Sequence, residues 1–226
     1  RKSQHFRAYE EVAKKFAKLL GMDPWLINPL YARCGEVDFA SGVGSESLQT
    51  QADQLLQKIR RKYKEYGIGE KAFVIVKTDD ASCGPGIMTV RDARDLPELS
   101  RRAFEKMGAA TGGRTNHEII LQEGVPTFER VNDAVAEPVV CMIDRYVVGG
   151  YYRVNAHRGV DENLNAPGAS YVPLAFAESG HITRVGEKPG ASPPNRFYMY
   201  GVIGRLAMVA AAYELEATDP DAETYD

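Results

Sequence analysis

Residues 74–90 read VIVKTDDASCGPGIMTV. An apolar run ends at Lys77, a loop of small residues containing Gly84 and Gly86 follows, and 87–90 is apolar again. A lysine at a strand end can aim its ammonium at phosphate oxygens, and the N–H groups of a glycine loop can cradle the same oxygens. The pattern GxxxxGK[ST] occurs nowhere, so this is not a Walker A loop. Taken alone, the stretch is equally a plain β-hairpin with a surface lysine. Asp79 and Asp80 suit a turn by residue type. One of the two could alternatively help hold Mg2+ beside the phosphates.

Three further stretches could carry chemistry. Residues 119–125 (IILQEGV) take an apolar strand into a short acidic linker. The linker backbone at Gln122, Glu123 and Val125 can meet the edge of a base, and a carboxylate can bind ribose hydroxyls; in isolation it is an ordinary strand exit. Residues 139–155 (VVCMIDRYVVGGYYRVN) alternate as a hairpin turning at Asp144-Arg145. That alternation puts Tyr151, Arg153 and Asn155 on one face. A guanidinium fork suits a carboxylate or phosphate, although a solvated strand face has the same look. Gly149-Gly150 weakens a strand and predicts a bulge or the close approach of a ligand. Residues 161–169 (DENLNAPGA) offer oxygen ligands that suit Mg2+. By themselves they read as a surface turn with Asx caps.

The elements that must position these groups follow from periodicity. Apolar residues at spacings of three and four predict a helix over 6–20, closed by Gly21, and a second over 45–66. The second has the stripe Leu48, Ala52, Leu55, Leu56, Ile59 and Tyr63. Residues 23–43 read as loop. Strands are predicted at 72–77, 87–90, 119–121, 138–143, 146–155 and 170–176, with helices over 96–107 and 197–216. A turn is expected at 111–114, a Pro/Gly-rich segment at 186–194, and an acidic tail from 218. The mixture, with an antiparallel hairpin, gives an α+β fold class.

Composition narrows the function. The 226 residues carry 28 basic and 31 acidic side chains, a net charge of −3 that argues against a general nucleic-acid binder. No apolar run approaches the roughly 18 residues of a membrane span. Three scattered cysteines point to a reducing, cytoplasmic setting, without a disulfide framework or structural zinc. A homo-oligomer stays open.

The order of these stretches is similar to the layout of an ATP-grasp ligase over about 72–173. VKTDDASCGPGIMTV, ILQEGVPT, EPVVCMIDRYVVGGYYRVN and ENLNAPGA resemble the proteobacterial ATP-grasp glutamate–cysteine ligase. The resemblance extends into the flanking helices. It implies two α/β subdomains clamping ATP. It also implies a reaction in which ATP phosphorylates the γ-carboxylate of glutamate and the amine of cysteine attacks the acyl phosphate. By the same resemblance, Lys77 contacts the phosphates, and Gly84 and Gly86 cover them. Gln122, Glu123 and Val125 line the adenine, and Asp144 lies near the nucleotide. Arg153 and Asn155 act at the acyl phosphate. Asn163 and Asn165 line the substrate end, with Asp80 and Asn165 at Mg2+. The match to the Glu-x-Asn metal strand of ATP-grasp enzymes is only approximate at 162–165.

The implied division is a helical lead-in over 1–70 completing an upstream substrate domain, a small lobe over 71–121 and a large lobe over 122–226. With only about 70 residues before Lys77, the resemblance implies the C-terminal part of a longer chain. Two other readings stand beside it: another ATP-grasp carboxylate–amine ligase, such as a glutathione synthetase-like enzyme, or a non-catalytic nucleotide-binding module.

Overall fold

The computed structural model describes residues 1–79, 87–100, 116–174 and 196–219. Two four-stranded antiparallel sheets organise them. The first has the order β1 (Tyr31–Asp38), β4 (Asn116–Glu123), β2 (Val74–Thr78), β3 (Met88–Val90). The second has the order β5 (Arg130–Val131), β6 (Ala134–Ile143), β7 (Tyr146–Asn155), β8 (Ser170–Pro173). Three long helices accompany them: α1 (Lys2–Leu20), α2 (Ser45–Glu65) and α3 (Arg196–Thr218). The α+β class read from the sequence holds.

Helix α2 buries Leu48, Ala52, Leu55, Leu56, Ile59 and Tyr63, the stripe that periodicity predicts. That stripe packs on Val37, Val74, Val76, Ile119 and Leu121 of the first sheet. Successive strand residues face opposite sides, so Ile75, Lys77, Gln122 and Tyr31 share the other face. Helix α1 lies over that second face. Its Phe6 ring sits 5.2 Å from Tyr31, and its Glu10 accepts a hydrogen bond from the Tyr31 hydroxyl at 3.3 Å. Further along, α1 packs Tyr9, Val12 and Ala13 against Leu206 and Ala210 of α3. Helix α3 in turn meets the second sheet, where Met142 and Val147 pack against Gly204 and Gly201. One helix therefore touches both halves of the molecule.

Two local expectations change. Residues 23–43 are not all loop: β1 lies within them, paired along β4. Its alternation is interrupted by a register shift between Arg33 and Gly35, where Gly35 adopts φ +85°, a conformation that favours glycine. The first sheet thus draws strands from both sides of residue 70. Second, the predicted strand over 170–176 ends at Pro173. The helix predicted over 96–107 is seen at 96–100. Its remainder, the turn at 111–114, the 186–194 segment and the tail beyond 219 lie outside the described residues. No described helix is long and apolar enough to cross a membrane.

Candidate functional site

Lys77 projects from β2 on the α1 side of the first sheet. Its ammonium donates to Gln122 Oε1 at 2.5 Å and lies 5.4 Å from the centre of the Phe6 ring. No carboxylate of the described residues pairs with it. Burial, together with the nearby Lys2, pushes its pKa below the usual lysine value. Lys2 is held in place from the same strand end. Its Nζ donates to the Thr78 carbonyl at 2.7 Å, and its backbone N–H donates to the carbonyl of Asp79. The buried Asp79 carboxylate accepts from Ser3 N at 2.7 Å and from Ser3 Oγ at 2.6 Å, fixing the first turn of α1. Two cations thus converge on the exit of β2, one of them half-buried and, among the described residues, without an acid. Such a pair suits a polyanion such as a phosphate chain.

Gln122 belongs to this arrangement, but Glu123 points the other way. Its carboxylate is buried on the α2 side and accepts from Trp25 Nε1 at 2.9 Å and Leu30 N at 2.8 Å. Burial raises its pKa, partly offset by those two hydrogen bonds. Its backbone N–H is also used, donating to the Leu30 carbonyl. The side chain ties β4 to the 24–30 segment, so a ribose contact would fall to the linker backbone. Val125 beyond it is exposed and makes no backbone hydrogen bond among the described residues.

The second cluster lies on the β6–β7 hairpin. Arg153 stands opposite Glu137, and its Nη1 donates to Glu137 Oε1 at 2.5 Å. That pairing depends on a bulge. Ile143 faces Tyr146 across the turn, and an uninterrupted ladder from there would set Ala136 opposite Arg153. An extra residue, Val148, shifts the register by one and brings Glu137 across instead. This is the bulge that Gly149-Gly150 predicts. The close approach at Gly150 is to the neighbouring strand: a Cβ there would lie 2.6 Å from the Val139 carbonyl oxygen.

Asn155 ends β7 fully buried. Its Oδ1 accepts from His157 N at 3.1 Å, while its Nδ2 and Arg153 Nε are buried donors without partners. Unpaired buried donors on one face are costly unless something accepts from them.

The loop leaving Asn155 returns to the first sheet. Thr89 Oγ1 of β3 donates to the Asp161 carbonyl at 3.4 Å, and the Arg91 guanidinium pairs with the Asp161 carboxylate. Thr89 stands opposite Ile75, on the face that carries Lys77. The hairpin's Arg153–Asn155 end is therefore tied to the Lys77 edge of the first sheet. Asn163 and Asn165 of this loop are exposed, and Asn163 Oδ1 accepts from Asn165 N at 3.0 Å, the Asx turn that the residue types suggest.

Asp144 is not brought in. It forms the exposed hairpin tip at φ +51°, roughly 30 Å along the strands from Asn155. The acid beside Arg153 is Glu137. Asp80, Gly84 and Gly86 lie outside the described residues. Among the described residues, no three His, Cys, Asp or Glu side chains gather as metal ligands would.

Comparison with known proteins places this arrangement. The profile of the GshA, glutamate-cysteine ligase, family matches residues 1–215. The chain belongs to the glutamate-cysteine ligase family. This is a family of ligases. A crystal structure from Methylobacillus flagellatus KT, of a protein provisionally named gamma-glutamylcysteine synthetase, superposes with a TM-score of 0.83 at 49% identity. The match covers 97% of this chain and 51% of that one, so the chain spans about half the length of that relative. No curated protein matches the sequence.

Sequence reading missed Lys2 and Glu137. Lys2 carries no local signal, because only the fold brings it to a strand end more than 70 residues away. Glu137 was within reach, since the glycine pair already marks the bulge that sets its register.

Proposed function

We propose that this glutamate-cysteine ligase family member binds ATP in an ATP-grasp manner. It then joins the γ-carboxylate of glutamate to the amine of cysteine through a γ-glutamyl phosphate, the first step of glutathione biosynthesis. The observation that carries this reading is the half-buried Lys77 ammonium, which has Lys2 beside it and no acid partner among the described residues. Its uncompensated charge suits the phosphate chain. Two antiparallel sheets joined by the 124–129 linker are compatible with an ATP-grasp clamp over 71–121 and 122–226.

The residues take the following roles. Lys77 and Lys2 neutralise phosphate charge, and Gln122 orients the Lys77 ammonium. Gly84 and Gly86 cover the phosphates. The backbone from Gln122 to Val125 meets the adenine edge. Arg153, aimed by Glu137, and the unpaired Asn155 amide stabilise charge on the acyl phosphate as it forms. Phosphoryl transfer depends chiefly on such positioning and charge neutralisation. Asn163 and Asn165 face the substrate end. ATP-grasp ligation uses Mg2+, which lowers the charge of the phosphates, with Asp80 and Asn165 as the candidate ligands.

ADP release tests the reading. With ATP and glutamate present, cysteine should stimulate release more than other amino acids do. Stimulation by a different amine in place of cysteine would assign the chain to another carboxylate–amine ligation. ATP binding without turnover by any acceptor would leave a nucleotide-binding module.

A further inference from the structure

We propose that Lys77 is an acylation site for small acyl phosphates such as acetyl phosphate, with Lys2 holding the phosphate and Lys77 taking the acyl group. The inference rests on the phosphate reading of this site and extends it from ATP to a reactive acyl–phosphoryl anhydride.

The geometry supplies both halves of such a reaction. An acyl phosphate presents a dianionic head and, one bond away, an electrophilic carbonyl carbon. Lys2 is fixed at the β2 exit by three hydrogen-bonding ties: its Nζ to Thr78 O, its N–H to Asp79 O, and the Ser3–Asp79 clip behind it. Lys77, one residue earlier on that strand, meets an amide oxygen and an aromatic face and, among the described residues, no carboxylate. A lysine nucleophile must be neutral to react, and desolvation beside another cation favours the neutral amine.

The surrounding charges do not reverse this. On α1 the neighbouring groups are Lys2, and Arg1, which lies 4.0 Å from Glu118. On β4, Glu118 is also approached by Arg33 of β1 at 3.5 Å. The Tyr31 hydroxyl is turned to Glu10, and the Asp79 carboxylate is taken up by Ser3.

In the step itself the Lys77 Nζ attacks the acyl carbon. A carbon–nitrogen amide bond forms, and the bond between the acyl carbon and the bridging oxygen breaks, that oxygen staying on phosphorus. Inorganic phosphate leaves with the bonding pair, and the amine proton passes to it or to water. The product has lost the Lys77 charge, so acylation would switch off phosphate binding at this site.

The test is a time course of the protein with acetyl phosphate at mildly alkaline pH, read by peptide mass spectrometry. Lys58 and Lys64, exposed on α2, serve as internal comparators. The expected result is acetylation of Lys77 several-fold faster than of either comparator, with a rate that levels off at lower pH. ATP or inorganic phosphate should slow it several-fold, a control that needs no variant. Lys2→Ala should slow Lys77 while leaving Lys58 and Lys64 unchanged. Equal rates at all three lysines, or no protection by ATP and phosphate, would overturn the inference. Failure of the parent reading looks different: ATP affinity would then be unchanged in Lys77→Ala. Weakened ATP binding in that variant alongside unremarkable acetylation would sink only the acylation.

Discussion

The two sheets treat charge in opposite ways. The first has α2 packed on one face and α1 lying over part of the other, and its Lys77 sits half-buried beside an amide and an aromatic ring. The second sheet leaves much of its surface open. Its Arg153 is neutralised at once by Glu137, and its unmet potential is instead the buried donors Asn155 Nδ2 and Arg153 Nε. An uncompensated cation attracts a polyanion over some distance. Unpaired donors discriminate at contact, rewarding a group that accepts two hydrogen bonds in a fixed geometry. The difference suggests a division of labour, with the first sheet holding phosphate and the second recognising the atom where charge develops.

The comparison can be broken in order of effect. The largest change comes from the scaffold of the first sheet. Leu56→Ala removes a fully buried side chain from the α2 stripe and should cost about 2–5 kcal/mol in urea or thermal unfolding. A cost near zero would mean that the α2 layer does not support the sheet.

Next is Glu123, which separates a structural carboxylate from a nucleotide contact. Glu123→Ala leaves Trp25 Nε1 and Leu30 N without their acceptor and should lose about 1–3 kcal/mol of stability. Glu123→Gln keeps an acceptor and should lose less. The pH dependence has a definite sign. Burial raises the folded-state pKa of Glu123, so its contribution is complete below the unfolded value and is lost as pH rises through the folded one. Wild-type stability should therefore fall with rising pH across that window, and Glu123→Gln should flatten the fall. Weaker ATP binding in Glu123→Gln, without a change in stability, would return the residue to the nucleotide.

Asn155→Ala addresses the second sheet. It removes the unpaired donor and the acceptor for His157 N, at a stability cost of about 0.5–1.5 kcal/mol. The division of labour predicts a marked loss of ADP release with little change in ATP affinity, measured by steady-state assay beside equilibrium titration. Weakened ATP binding with normal turnover would reverse the assignment of the two sheets. The smallest effect belongs to Asp144→Ala at the hairpin tip, expected within about 0.5 kcal/mol of wild type and neutral toward ATP.

Patterns of short range were legible before any coordinates. The α2 stripe came through residue for residue because a helix has one period and one buried face. The hairpin turn at Asp144-Arg145 and the bulge at Gly149-Gly150 were readable for the same reason. Strand β1 was not, since the bulge at Gly35 and its polar residues break the alternation that marks a strand. At the candidate site, the two-residue period of β4 turns Gln122 toward Lys77 and Glu123 to the opposite face, a separation that follows from strand alternation once the register is known. Lys2 could not be found from local pattern, because its position depends on the Asp79–Ser3 clip between distant segments.

The central claim is that the pair Lys77 and Lys2 receives the phosphates of ATP, and calorimetric titration of wild type and Lys77→Ala with ATP tests it most directly. Hydrogen bonds to a charged group are worth about 1.5–3 kcal/mol, so the variant should bind ATP roughly ten- to hundredfold more weakly. Adenosine, which lacks phosphates, should bind both proteins alike. Equal ATP affinity in the two proteins, with both folded, would contradict the account.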